Sequence, residues 1–173
     1  MNTATESPEN IATTEAEDAA AVELLTKALE GVLFEGKPMW EVCGWSEEQI
    51  EGLYNTGYHL YQSGAYDEAL NVFRPLVLLD SGEARNWIAL GGCHQMKGEF
   101  EQALQFYGNA MMIDPANPSP VFNALECNLA LKKYPEAKSA AEYIIATATD
   151  KPEHTALLVR AKVLLGAIES KIS

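Results

Sequence analysis

Trp87-Ile88-Ala89-Leu90-Gly91-Gly92-Cys93-His94-Gln95-Met96-Lys97-Gly98-Glu99-Phe100-Glu101-Gln102-Ala103 is the stretch that decides the fold. It opens a unit that continues through Tyr107 and Ala110 to Pro115. Its spacing follows W-x2-L-G-x2-Y, then A-x3-F, then P, the signature of a two-helix repeat. His94 stands at the Tyr position and Tyr107 at the Phe position.

The same unit recurs on both sides. Ala69, Ala103 and Ala137 lie 34 residues apart, which is the tetratricopeptide-repeat (TPR) period. The first unit reads Leu53, Gly57, Leu60, Gly64, Tyr66, Ala69, Phe73 and Leu76. The third reads Val121, Ala124, Tyr134, Ala137, Ala141 and Ile144, without the two glycines and the closing proline. Small residues at Gly57, Gly91, Ala69 and Ala103 let paired helices approach, and Gly64 and Gly98 suit a turn at positive φ. One such unit cannot bury its own apolar face, so units must stack and share a core. The expected fold is all-α: three TPR-like helix pairs in a curved solenoid, with a capping helix at each end.

Outward from the repeats, the chain divides as follows. Residues 1–18 carry Glu6, Glu9, Glu15, Glu17 and Asp18 without Lys or Arg, which reads as a disordered acidic tail. Residues 19–45 form an N-terminal helical segment. In it Val22, Leu25, Leu29, Val32 and Leu33 make an apolar stripe, Gly36 and Pro38 end the helix, and Met39, Trp40, Val42 and Trp45 follow. Ser46-Glu47-Glu48-Gln49 is a capping box that starts the next helix near Glu47. The repeats span 46–150. A C-terminal capping helix occupies 151–173, with Leu157, Leu158, Ala161, Leu164, Leu165 and Ile168 on its apolar face.

A net charge of −13 repels phosphate backbones and anionic membranes, so neither nucleic acid nor a membrane is expected as a direct partner. Cys43, Cys93 and Cys127 show no CxxC spacing, and Cys93 and Cys127 read as small packing residues at matching repeat positions. His59, His94 and His154 have no metal-ligand spacing, and no P-loop, dinucleotide fingerprint or nucleophile elbow is present. No catalytic residue, metal or cofactor is therefore expected. The N-terminus lacks the basic and apolar regions of a signal peptide, so a cytoplasmic location is expected.

The first helices of stacked TPR units line a concave face, and groove positions on each recur about every four residues. On the first these are Tyr54, Tyr58 and Tyr61; on the second Ile88, Gly92 and Gln95; on the third Phe122, Glu126 and Leu129. The lining is aromatic and aliphatic with few charges, which suits an extended, largely apolar peptide. The same tyrosines would also pack under the N-terminal helix. TPR co-chaperones that clamp a C-terminal carboxylate need Lys and Asn where Tyr54 and Tyr58 stand, so that ligand is disfavoured.

The run from Leu53 to Ala69, with Val72-Phe73-Arg74, Leu76, Leu79 and Asp80, resembles the first repeat of the class II chaperones of bacterial type III secretion. Pro120-Val121-Phe122 and Glu126-Cys127 resemble that family's third repeat. The resemblance spans about residues 20–170. It implies a bacterial cytoplasmic chaperone that takes an extended N-terminal segment of a hydrophobic translocator protein into its groove. It suggests Leu79, Leu90, Tyr107 and, again, Phe122 as peptide-binding positions, Leu90 and Tyr107 being repeat-core positions as well. It makes the N-terminal helix a homodimerisation segment and allows a transcription activator as a second partner. A TPR scaffold or adaptor for a folded protein is the competing reading.

Overall fold

A computed structural model describes residues 22–23, 26–27, 30–148 and 152–172. The acidic-tail expectation for 1–18 lies outside them, as do Leu25 and Leu29 of the N-terminal stripe. The described residues contain helices and turns and no strand. The chain forms two compact units, 1–47 and 48–173.

In the first unit the helix runs to Leu33, and Gly36 takes φ +68° in the turn that follows. Pro38 then leads into one helical turn, Met39–Val42. Leu33, Phe34, Met39 and Trp45 are exposed.

The repeats give six helices in chain order: α1 Glu47–Gln62, α2 Tyr66–Leu79, α3 Ala84–Met96, α4 Phe100–Ile113, α5 Ser119–Ala130 and α6 Tyr134–Ala148. A 3₁₀ turn at Pro152–His154 precedes α7, Thr155–Ile172. Each helix from α2 onward packs on the next, and the odd-numbered helices also touch across the repeats (α3 with α5, α5 with α7). The repeat alanines Ala69, Ala103 and Ala137 are all fully buried, as close helix approach requires.

The two glycines at the tight positions do what their spacing predicts. A Cβ on Gly57 would stand 2.9 Å from the Phe73 ring, and one on Gly91 would stand 2.7 Å from the Tyr107 ring. The third unit solves the same contact the other way round. There Leu125 occupies the glycine's position and Ala141 the aromatic's, and both are buried in one apolar cluster. Large and small have exchanged helices while the space stays filled.

The turns obey the same register. Gly64 and Gly98 take φ +83° and +78°, and the third unit places Lys132 there at φ +58°. A side chain in this left-handed region costs about 1–2 kcal/mol, so the missing glycine of the third unit is a built-in strain. Its α7 neighbour closes the stack: Ala161 and Ile168 are buried, Ala161 within the cluster that holds Leu125 and Ile144.

Candidate functional site

The first helix of each repeat brings one face to a cleft of ≈ 290 Å³. Along α1 the residues Tyr54, Tyr58 and Tyr61 sit at i, i+4 and i+7, one helical face. Their rings form a ladder: Tyr54 and Tyr58 stack at 6.4 Å between centroids, Tyr58 and Tyr61 at 6.5 Å. The ladder is fixed from behind. Phe73 meets Tyr54 edge-on at 5.7 Å, and Tyr66 meets Tyr61 edge-on at 5.6 Å. Tyr58 remains 43% exposed, the most accessible ring of the three. Burial pushes the Tyr54 and Tyr61 phenols above their ordinary pKa, so both hydroxyls stay protonated donors at neutral pH.

The facing helix α3 contributes Ile88, Ala89, Gly92, Gln95 and Met96. Gly92 has a specific job: its missing side chain leaves the Tyr61 ring 3.5 Å from where a Cβ would stand. An alanine methyl there would just touch the ring, and a larger side chain would enter the cleft.

At the α5 end the lining turns polar, with Asn123 and Glu126. Gln95 Nε2 donates to Glu126 Oε2 at 3.3 Å, and the Tyr107 hydroxyl donates to Gln95 Oε1 at 2.5 Å. From α7, Arg160 donates to Glu126 Oε1 at 2.8 Å and lays its guanidinium 4.3 Å over the Phe122 ring. A matching device stands at the tyrosine end. Arg85 of α3 bonds Glu51 at 2.5 Å and covers the Tyr54 ring at 4.5 Å. Both ion pairs join residues 34 apart, so each links equivalent positions on successive repeat helices.

The expected peptide-binding residues therefore separate. Tyr54, Tyr58, Tyr61, Ile88, Tyr107 and Glu126 come together at the cleft, Tyr107 from beneath it as a fully buried floor. Leu90 is 2% exposed, a core residue that does not line the cleft. Phe122 is also buried, under Arg160, while Leu129 packs against the C-terminal apolar cluster. Leu79 ends α2 half-buried and does not line the cleft. Phe73, Ala89, Met96 and Asn123 line the cleft without having been expected there. Asn123 lies 34 residues after Ala89, so the repeat register carries that signal once the second helix's lining is known. What the register alone does not carry is which of two adjacent positions lines the cleft: Tyr54 lines it in the first repeat, but in the third its counterpart Phe122 is buried and Asn123, one residue on, lines it instead.

His94 is buried, stacks on Phe106 at 5.1 Å and shares a 2.6 Å hydrogen bond with Glu99. It packs as the repeat's aromatic position demands. Among the described residues there is no group of three or more His, Cys, Asp or Glu side chains placed to hold a metal. No helix among them is long and apolar enough to cross a membrane.

Comparison with known proteins sharpens this picture. Residues 50–81 and 96–163 match the tetratricopeptide repeat. The low calcium response locus protein H of Yersinia pseudotuberculosis is 33% identical over 144 residues, 83% of this chain and 86% of that protein. The solved structure of PcrH, from Pseudomonas aeruginosa, in complex with the chaperone binding region of PopD superposes with a TM-score of 0.73. Its sequence identity is 38%, over 75% of this chain and 98% of that one. The Yersinia enterocolitica type III secretion chaperone SycD, solved with a peptide of the translocator YopD, gives 0.71 at 33% identity, covering 74% and 98%. SycD has also been solved as an alternative dimer.

Proposed function

Since the chain belongs to the class II, TPR-type chaperones of type III secretion translocators, we propose that it binds a hydrophobic translocator before export and holds an extended apolar segment of it in the cleft of α1, α3 and α5. The observation that carries this reading is the tyrosine ladder of α1, backed by Phe73 and Tyr66 and facing the bare backbone of Gly92. Rings already held in place lose little entropy when a ligand arrives, and they offer wide apolar contact with a hydroxyl at the edge. An apolar side chain entering such a cleft leaves water, which favours binding at roughly 25 cal/mol per Å² of apolar area removed. The function is stoichiometric masking: the translocator's apolar surface is covered until export, in the bacterial cytoplasm.

The first unit supports self-association. Leu33 and Phe34 are exposed, and an apolar N-terminal segment of this kind suits a homodimer contact. Sedimentation of a chain lacking residues 1–35 tests it; unchanged association would clear that segment of the role.

The central experiment is co-expression with a translocator of the same secretion system. The translocator should become soluble and co-purify, and a translocator equally insoluble with and without the chaperone would sink the proposal. Two variants locate the site. Tyr58→Ala with Tyr61→Ala removes ladder rings, and Gly92→Leu fills the cleft from the opposite wall. Both should abolish co-purification while leaving helical content unchanged.

A further inference from the structure

Gln95 and Glu126, with Asn123 nearby on α5, form the polar end of a cleft whose other end is aromatic and aliphatic, and their facing atoms stand 3.3 Å apart. Their orientations are forced. A carboxylate only accepts, so Gln95 must turn its NH₂ toward Glu126 and its carbonyl toward Tyr107. The Tyr107 phenol is fully buried, which keeps its proton on, and it donates to that carbonyl. Arg160 holds the other carboxylate oxygen. The amide is thus pinned from α4 and the carboxylate from α7.

Each member of the pair retains capacity after these bonds. An amide NH₂ has two hydrogens and a carboxylate about four acceptor sites; Glu126 takes one of the hydrogens, and Gln95 and Arg160 take one acceptor site each. A donor and an acceptor therefore stand side by side at the cleft. A residue in an extended chain presents its own N–H and C=O along one edge, the arrangement by which antiparallel strands exchange paired hydrogen bonds. Arg160 already balances the charge of Glu126, so the carboxylate calls for a neutral donor and not for a cationic side chain.

We propose that Gln95 and Glu126 read the main chain of the cargo: one cargo residue donates its N–H to Glu126 and accepts from the Gln95 amide. This rests on the cleft being the cargo site. The tyrosine end selects apolar side chains, and the polar end fixes the register of the segment. Tyr107 and Arg160 are positioning residues that hold the reading pair.

The test uses short overlapping peptides from the translocator that co-purifies with the full-length chaperone, titrated by fluorescence anisotropy. The tightest peptide is then N-methylated at one backbone position at a time. A single position should lose about tenfold or more in affinity, the scale of one hydrogen bond to a charged acceptor. The same methylation should cost less than about twofold against Glu126→Ala, because the bond is already gone. Gln95→Leu should show the same coupling at that residue when its carbonyl is replaced by an ester, and Tyr107→Phe should weaken it. Circular dichroism of each variant checks the fold. Methylation losses that do not couple to Glu126 overturn the proposal while leaving the cleft as cargo site. So does coupling that appears only when a cargo Lys or Arg is replaced by norleucine. Equal binding of every peptide by wild type and Gly92→Leu overturns the cargo site itself.

Discussion

Tyr107 lies across Gly91 so closely that a Cβ at Gly91 would stand 2.7 Å from a ring carbon, inside any tolerable contact. Ala is the better helix former by about 1 kcal/mol, yet the clash reverses that preference here. Gly91→Ala should destabilise the protein by about 1–3 kcal/mol, the usual penalty of overpacking, read as a lower denaturation midpoint in urea. The third repeat supplies the compensation. Gly91→Leu paired with Tyr107→Ala reproduces its Leu125–Ala141 arrangement and should be less damaging than Gly91→Leu alone. Equal damage from both would mean that the exchange is not what keeps the third repeat packed.

Lys132 occupies, at φ +58°, the place that Gly64 and Gly98 hold in the other repeats. Lys132→Gly should relieve about 1–2 kcal/mol of left-handed strain and lose part of it, about 0.4–1 kcal/mol, to the freer unfolded chain. The net is a stabilisation of up to about 1.6 kcal/mol, about 0.8 at mid-range, seen as a melting temperature higher by about 2 °C for a chain of this size. A lower melting temperature would show that the Lys132 side chain contributes more than its backbone costs.

The three cysteines differ in access. Cys43 is exposed, while Cys93 and Cys127 are buried, and burial pushes both of their thiols up to about 11. A thiol reacts as its thiolate, so a disulfide reagent at neutral pH should label Cys43 alone in the native protein. Cys93 and Cys127 should label only at the rate of unfolding, which mass spectrometry of timed samples measures. Rapid labelling of either would contradict the packing between repeats.

Lys97 bridges Asp67 and Glu99, tying the first repeat to the second. Glu99 sits below its ordinary pKa of 4.5 through its hydrogen bond with His94 and then Lys97. Asp67 sits below its ordinary 3.8 through Lys97. Both carboxyls bind protons more weakly when folded. Their contribution is full above the ordinary values and fades as pH falls through the lower folded ones. The stability gap between wild type and Lys97→Met should therefore be present at pH 6 and shrink progressively as pH falls below the ordinary carboxylate range, as urea titrations at each pH would show. A gap that does not shrink with falling pH would assign the effect of Lys97 to packing of its stem.

The repeat logic was written in the chain. A 34-residue period sets which residues start helices, which turn at Gly64 and Gly98, and which small residues must meet large ones, because each depends on neighbours within one helix pair. The tyrosine ladder was legible for the same reason: i, i+4 and i+7 share a helical face whatever lies opposite. Tertiary structure decided the rest. The packing of each repeat on the next buried Phe122 and left Asn123 on the cleft. It brought Tyr107, Gln95, Glu126 and Arg160 from four helices into one hydrogen-bonded chain, and it set Gly92 against Tyr61. Those relations depend on how units pack on one another, and no local spacing encodes that packing.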